Sequence, residues 1–108
     1  MALGEAPVLD TLVDINAAAL QRTELDAVTL LMVRIAALAA VDASATSYVM
    51  HIGPAAEAGL TIEQVQDVLV AVAPIVGAPR VLNASQNILE AFGLAVAALQ
   101  TVGTNADV

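Results

Sequence analysis

The sequence predicts an all-α fold, a compact bundle of about five helices that assembles with copies of itself. Hydrophobic residues recur with the 3.6-residue period of an amphipathic helix. No stretch of useful length alternates between apolar and polar residues, as a half-buried strand would. The 108 residues suffice for one domain, spanning residues 1–108. Hydrophobic residues make up 59% of the chain, which is above the usual level of about 45–50%. So small a domain cannot hide that much apolar surface internally, so we expect a homo-oligomer.

The charge and the missing residue types exclude several classes of function. The formal net charge is −8, from eleven acidic residues against three arginines, and this balance repels a phosphate backbone, so no nucleic-acid partner is expected. No apolar run reaches the roughly 20 residues of a membrane span, and no secretory signal opens the chain. We therefore expect a cytoplasmic protein without membrane contact. The absence of cysteine excludes disulfides and thiolate chemistry, and we expect neither a metal nor a cofactor.

The first helix is predicted within residues 1–22. It begins near Pro7, since proline suits the first turn of a helix, and it ends near Arg22. Asp10 and Asp14 lie in its early turns, where the helix dipole favours negative charge. Its apolar face is predicted to consist of Val8, Leu9, Leu12, Val13, Ala19 and Leu20.

The second helix, Ala27–Val41, is the most apolar stretch of the chain. Its only polar members are Thr29 and Arg34. A helix that is apolar around its whole circumference must be buried on all sides, so we expect this helix at the centre of the assembly. Thr23, with Asp26 three residues later, is the predicted N-cap.

The third helix is predicted from Ala43 to Ala58, joined to the second by Asp42 and ended by Gly59 in a left-handed C-cap. Pro54 lies inside it, one turn after Met50. Because proline removes a hydrogen bond and crowds the preceding turn, we expect a bend there. The alternative is a break into two short helices.

The fourth helix opens with the clearest local signal in the sequence. Thr61 and Gln64 have the spacing of a capping box, and Leu60 and Val65 that of a hydrophobic staple. The predicted inward face consists of Ile62, Val65, Val68, Leu69, Val72, Ile75 and Val76.

The fifth helix follows the turn Gly77-Ala78-Pro79 and is predicted to run to about Gln100. Residues 101–108 are expected to form a flexible tail, as chain termini often do. The predicted inward face consists of Val81, Leu82, Ser85, Ile88, Leu89, Phe92, Val96 and Leu99.

Several motifs occur in a recognisable order. They are an apolar helix, a Ser-x-x-Ser-x-x-x-His segment at Ser44, Ser47 and His51, Ala-x-x-x-Gly ending at Gly59, the Thr61-capped helix, and the Gly77–Pro79 turn. This order resembles the carboxymuconolactone decarboxylase family, in the superfamily of the alkyl hydroperoxide reductase D-type peroxidases. The resemblance covers about residues 23–94. It implies an all-helical family core over residues 23–100 and assembly as a homotrimer or homohexamer.

The chain differs from the peroxidases of that superfamily at the residues that carry out their chemistry. Ser44 and Ser47 stand where the peroxidases have a cysteine pair, and Met32 stands at the position of their proton-relaying glutamate. A serine hydroxyl lacks the nucleophilicity and the redox chemistry of a thiolate. The chain is therefore not a thiol peroxidase.

The decarboxylase branch implies a different site. There His51 would act as the catalytic acid or base, because imidazole exchanges a proton near neutral pH, with Ser47 one turn earlier hydrogen-bonded to it. Arg34 would bind a substrate carboxylate with two parallel hydrogen bonds, and Ser44 and Tyr48 would complete the substrate site. This predicts a cofactor-free, lyase-like enzyme acting on a small carboxylic acid or lactone by proton transfer.

A catalytically inactive relative, kept as an oligomeric binding or structural module, is the alternative. In that case His51 is packed among apolar side chains, and Arg34 is used up in a salt bridge, because an unpaired buried guanidinium is costly. The candidate partners for that salt bridge are Asp42, Glu57, Asp67 and Glu90. One enclosed pocket lined by both His51 and Arg34, with an ionisable neighbour supplied across a subunit boundary, favours the enzyme.

Overall fold

The computed structural model describes the backbone of residues 6–107 and the side chains of residues 6–94. Over that backbone the chain forms five helices and no strand: α1 (Ala6–Arg22), α2 (Ala27–Ala40), α3 (Ala45–Ala58), α4 (Ile62–Val76) and α5 (Ala78–Asp107). The predicted all-α class is confirmed. Among the helices of residues 6–107, none is both long and apolar enough to cross a bilayer.

Helix α2 lies at the centre of the bundle, where it contacts α3, α4 and α5. The core residues are Leu31, Ile35, Ala39, Tyr48, Ala55, Leu60, Val65, Val68, Leu69, Ala84, Ile88 and Ala91. Within the single chain α2 is not covered on all sides, and its burial in an assembly of several copies stays a prediction. Val33 is 52% exposed, because the three neighbouring helices leave one side of α2 uncovered.

The N-cap of α2 is Asp26 and not Thr23. The Asp26 carboxylate accepts a hydrogen bond of 2.7 Å from the backbone N–H of Thr29, and this bond lowers the pKa of Asp26 because it favours the charged form. The Thr23 hydroxyl instead accepts from the backbone N–H of Leu25, so it shapes the turn that precedes the helix.

The junction between α2 and α3 is a tight turn that α5 holds in place. Asp42 adopts a left-handed conformation with φ of 56°, and the backbone N–H of Ala43 reaches back to the carbonyl of Leu38, as in a Schellman motif. From α5, the Asn83 amide donates to the Asp42 carboxylate and the Asn87 amide donates to the Ala43 carbonyl. These bonds fix the start of α3, and with it the helix that carries the histidine.

Helix α3 continues through Pro54 without a break, so the alternative of two short helices is wrong. It ends as predicted at Gly59, whose φ of 88° is left-handed. The backbone N–H of the next residue, Leu60, donates to the carbonyl of Ala55. Leu60 is buried, so the chain turns directly into the core before α4 begins.

The predicted capping box of α4 is present. The Thr61 hydroxyl accepts from the Gln64 N–H at 3.1 Å, and the Gln64 side chain accepts from the Thr61 N–H at 2.9 Å. Val65, Val68 and Leu69 are buried as expected. Ile75, also predicted to point inward, is 89% exposed. Val76 in the same turn is half-buried, so Ile75 lies at the edge of the face that α4 buries.

The inward face of α5 is only partly the predicted one, since Ile88 is buried and Val81 packs against the core as expected. Its buried positions are Ala84, Ile88 and Ala91, whereas Leu82, Leu89 and Phe92 are more than half exposed. Small side chains at the contact let α5 lie close to α3, which bulky side chains would prevent. The side chains of Val96 and Leu99 lie outside the described residues.

Helix α5 is also longer than predicted, since it continues past Gln100 to Asp107. It thus runs through all but the last residue of the segment predicted as a flexible tail. No proline interrupts residues 101–107, and the glycine at 103 weakens a helix without breaking it. Val108 lies outside the described residues.

Helix α1 stands apart from the bundle. Among the described residues, no Cα of α1 lies within 8 Å of a Cα of α2 to α5, and α1 has no buried residue. The radius of gyration of the chain is 15.4 Å, against about 13 Å for a compact domain of this length. Large apolar side chains on α1 are exposed: Val8, Leu9, Leu12, Val13, Ile15 and Leu20.

Gly77, between α4 and α5, has a backbone conformation that only glycine adopts at low cost. Its φ is 94° and its ψ is 152°, so a Gly77→Ala variant would be strained even though a Cβ there meets no atom within 4 Å. We expect the free energy of unfolding to fall by about 1–3 kcal/mol, measured by urea denaturation. Gly53→Ala is the matched control, because Gly53 lies inside α3 with equally open surroundings and alanine there raises helix propensity. Equal losses in both variants would contradict the backbone explanation.

Candidate functional site

The imidazole of His51 is held by its own helix. Its Nδ1 lies 2.7 Å from the main-chain carbonyl oxygen of Ser47, one turn earlier in α3. A carbonyl oxygen only accepts hydrogen bonds, so Nδ1 carries the proton. The other nitrogen, Nε2, has no hydrogen-bond partner among the described residues, and in the neutral ring it holds the free lone pair. The half-buried ring is therefore oriented with its basic nitrogen available.

This geometry changes the predicted role of Ser47. The predicted contact between Ser47 and His51 exists, but it is made by the main-chain carbonyl of Ser47 and not by its hydroxyl. Any residue at position 47 would supply the same carbonyl in a helix. Ser47 therefore positions His51 through the backbone.

Arg34, on α2, points toward α1. Its Nη1 donates a hydrogen bond of 2.6 Å to the side-chain oxygen of Asn16, and the residue is half-buried. Within the described side chains, its partner is this neutral amide and not one of the four carboxylates considered for a salt bridge. No carboxylate among the described side chains forms a salt bridge with Arg34, whose one side-chain hydrogen bond there is to Asn16.

His51 and Arg34 line the same cleft, which lies between α1, α2 and α3 and has a volume of about 650 Å³. Asn16 and Glu57 also line it. The rest of the wall is mainly apolar, with Leu9, Leu12 and Val13 from α1, Leu30 and Leu31 from α2, and Met50 from α3. The cleft thus places a cation, a base and a carboxylate along a largely apolar wall.

A second, smaller cavity of about 110 Å³ shares His51 with the cleft and no other lining residue. Its wall is apolar apart from a few residues and includes Ile88, Phe92 and the ring of Tyr48. Tyr48 is only 2% exposed, and its hydroxyl has no hydrogen-bond partner among the described residues. Tyr48 therefore lies beside His51 but not in the cleft that contains Arg34.

Ser44 lies apart from both spaces. It is the N-cap residue of α3, its side chain makes no capping hydrogen bond, and it lines a polar surface depression with Asp42, Asn83 and Asn87. The structure therefore does not bring Ser44 to His51 or Arg34, because the start of α3 faces α5. Met32 packs against the core and lines a groove toward α4, so it also lies outside the cleft.

Two residues of the cleft, Glu57 and Asn16, were not predicted from the sequence as part of the site. Glu57 was considered only as an ion-pair partner for Arg34, although the α-helical period places it on the same side of α3 as Met50 and Pro54. Asn16 gave no signal, because it lies 18 residues from Arg34 on a different helix. Only the position of α1 over the cleft brings the two together.

Burial raises the pKa of the Tyr48 hydroxyl above its usual value of 10.0, and the negative charge of Asp42 adds to this effect. The folded state thus favours the neutral phenol. The stability that this group contributes is fully present below pH 10 and is lost as the pH rises through the higher pKa of the folded state. We expect the free energy of unfolding to decline over that range, and a Tyr48→Phe variant to show a smaller decline.

The ultraviolet absorbance of tyrosinate reports this titration directly, because Tyr48 is the only tyrosine in the chain. The midpoint in the folded protein should lie above that of the urea-unfolded chain. A midpoint that is the same in both states would show that the hydroxyl is solvated.

Comparison with known proteins gave one match. A family model described as the carboxymuconolactone decarboxylase family matches residues 6–91. The matched region takes in α1 to α4 and the first part of α5, and therefore every residue of the cleft. No curated protein and no solved structure matches the chain.

Proposed function

Because the chain belongs to the carboxymuconolactone decarboxylase family, we propose that it is a cofactor-free enzyme that transfers a proton at His51 on a small carboxylic acid or lactone held by Arg34. One observation carries the proposal: His51 and Arg34 line one cleft. The guanidinium has five N–H donors, and Nη1 gives one hydrogen bond to Asn16. An arginine without an ionic partner in apolar surroundings attracts an anion, and a carboxylate fits it with two parallel hydrogen bonds.

The proposed proton transfer uses the two nitrogens of His51 differently. Nδ1–H donates to Ser47 and fixes the ring, while Nε2 takes a proton from carbon next to the substrate's carbonyl group, and the electron pair moves into that carbonyl. The electron pair then returns from the carbonyl, and the imidazolium gives the proton back to the same carbon or to the far end of a carbon–carbon double bond conjugated with it. If the substrate's carboxylate leaves as CO₂ instead, the electron pair of the broken C–C bond moves into the conjugated system, and protonated His51 supplies the proton that replaces it.

We propose a homotrimer or homohexamer as the working assembly. The support is the exposed apolar surface of the single chain outside the cleft, which includes Val70 and Ile75 on α4 and Leu82 and Leu89 on α5. Large apolar side chains left exposed in this way indicate interaction sites. Native mass spectrometry would report the subunit number directly, and a monomer in dilute buffer would contradict the proposal.

The second candidate function is an inactive oligomeric module that binds a small carboxylate or lactone. The observation that favours it is the hydrogen-bonding of His51. Among the described residues, no carboxylate is hydrogen-bonded to His51 to stabilise its protonated form, and its only bond is to a backbone carbonyl. Such a module would keep the cleft and the apolar faces and would move no proton.

Proton exchange separates the two candidates without knowledge of the natural substrate. Small carboxylic acids and lactones are incubated with the protein in D₂O, and deuterium incorporation is followed by NMR. The enzyme incorporates deuterium next to a carbonyl group, and binding shows as line broadening. Ligands that bind without any exchange across the series would support the inactive module and contradict the enzyme.

A further inference from the structure

The lining of the cleft restricts which carboxylate it accepts. Arg34 is its only cationic side chain among the described residues. Arg80 lies elsewhere and donates to the carbonyl of Ala40, and Arg22 ends α1 without lining the cleft. Glu57 lines the cleft and would repel a second negative charge there. A ligand with one carboxylate is thus matched, whereas a second carboxylate would be left unpaired.

The rest of the cleft wall favours a ligand that also has a hydrocarbon portion. Leucines from α1 and α2, together with Met50 from α3, surround the polar groups. The volume of about 650 Å³ lies within the range of about 300–1,000 Å³ for small-molecule sites, and it exceeds what a two- or three-carbon acid would fill. Burial of hydrocarbon against these side chains is favourable.

We propose that the cleft selects a monocarboxylate with a medium-length hydrocarbon body over a dicarboxylate of the same length. This inference rests on the proposed function in placing the carboxylate at Arg34, and it names the substrate class for that site. Helix α1 supplies one wall of the cleft through Leu9, Leu12 and Val13. Helix α1 therefore covers the hydrocarbon part of the bound ligand.

Isothermal titration calorimetry on the full chain tests the selection with defined probes. Butanoate, hexanoate and octanoate vary the chain length, octanedioate adds a second carboxylate, and 1-octanol removes the charge. We expect the affinity to rise by about two- to fourfold for each buried methylene group. Octanoate should bind at least about tenfold more tightly than octanedioate, because the second carboxylate of octanedioate would meet Glu57 and the apolar wall with no second cation to pair with among the described residues.

Two variants of α1 provide a matched pair. Leu12 and Ile15 are exposed to similar extents, at 56% and 60%, but only Leu12 lines the cleft. Leu12→Asn should weaken octanoate binding, and Ile15→Asn should leave it unchanged. Since neither residue is buried, both variants should fold, which circular dichroism would verify.

Each outcome separates this inference from the proposed function. Equal affinity for octanoate and octanedioate, or equal effects of the two α1 variants, overturns the inference. The inference is also overturned if the protein is an oligomer that protects Leu12 from solvent and does not bind octanoate. A second copy of the chain would then occupy the cleft. The expected binding pattern without proton exchange on any acid would support the inference and contradict the proposed enzyme. Proton exchange on dicarboxylates, together with no affinity for octanoate, would support the proposed enzyme and contradict the inference.

Discussion

Replacing His51 by asparagine is expected to lower proton exchange by about 100- to 10,000-fold, the range over which a general acid or base contributes. The asparagine amide retains an N–H that can donate to the carbonyl of Ser47, so the local hydrogen bond is kept. It has no counterpart of the free Nε2 lone pair and cannot take up a proton at neutral pH. The loss should therefore appear in turnover while ligand affinity stays close to that of the unchanged protein.

Ser47→Ala is the control for this variant. The bond from His51 goes to the main-chain oxygen of residue 47, which alanine also supplies, so exchange should stay close to the original level. Deuterium incorporation measured by NMR under saturating ligand compares the two variants directly. If Ser47→Ala loses as much activity as His51→Asn, the hydroxyl has a chemical role that the geometry does not assign to it. If His51→Asn retains full exchange, His51 is not the proton carrier.

Local interactions were the most predictable part of this fold. The capping box at Thr61 and Gln64 depends on two residues three positions apart, so the sequence alone contains the whole interaction. The left-handed end of α3 at Gly59 is similarly local. The cap of α2 was misassigned between Thr23 and Asp26 because both residue types cap helices well, and only the exact first turn of the helix decides between them.

The buried faces were harder to predict because they depend on how closely the helices approach. On α5 the hydrophobic pattern suggested that Leu82 and Leu89 point inward, whereas Ala84 and Ala91 occupy the contact. Periodicity identifies an apolar face but not which part of a wide face meets the neighbour. The exposed leucines are consistent with the proposed contacts between copies, which a single chain does not contain.

Individual residues of the site could be predicted from the sequence, but their arrangement in space could not. The spacing of four residues between Ser47 and His51 predicts a contact in any helix, but it cannot tell a hydroxyl from a backbone carbonyl. Arg34 stands out as a cation in an apolar helix, and its pairing with Asn16 depends on the packing of α1 over the cleft. Glu57 joins the site for the same reason, since α1 encloses the space that it lines.

Arg34→Gln should weaken the binding of monocarboxylates by about 10- to 100-fold, because hydrogen bonds to a charged group contribute about 1.5–3 kcal/mol. Arg34→Lys should recover part of the loss, since it keeps the charge without the paired donors of the guanidinium. Arg80→Gln is the control, because Arg80 donates to the carbonyl of Ala40 outside the cleft. Binding of 1-octanol should change little in all three variants, since it carries no charge.

The same substitution separates binding from folding. In the unchanged protein Arg34 is a half-buried cation whose hydrogen-bond partner, Asn16, is a neutral and exposed amide. Water can replace this bond when the shorter glutamine is present, and the cost of partly burying a charge is removed. The free energy of unfolding of Arg34→Gln should therefore stay the same or rise while carboxylate affinity falls. A parallel fall in both, measured by urea denaturation and calorimetry, would show that Arg34 serves the fold and would remove the anchor from the proposed site. Retention of full affinity would place the carboxylate elsewhere on the protein.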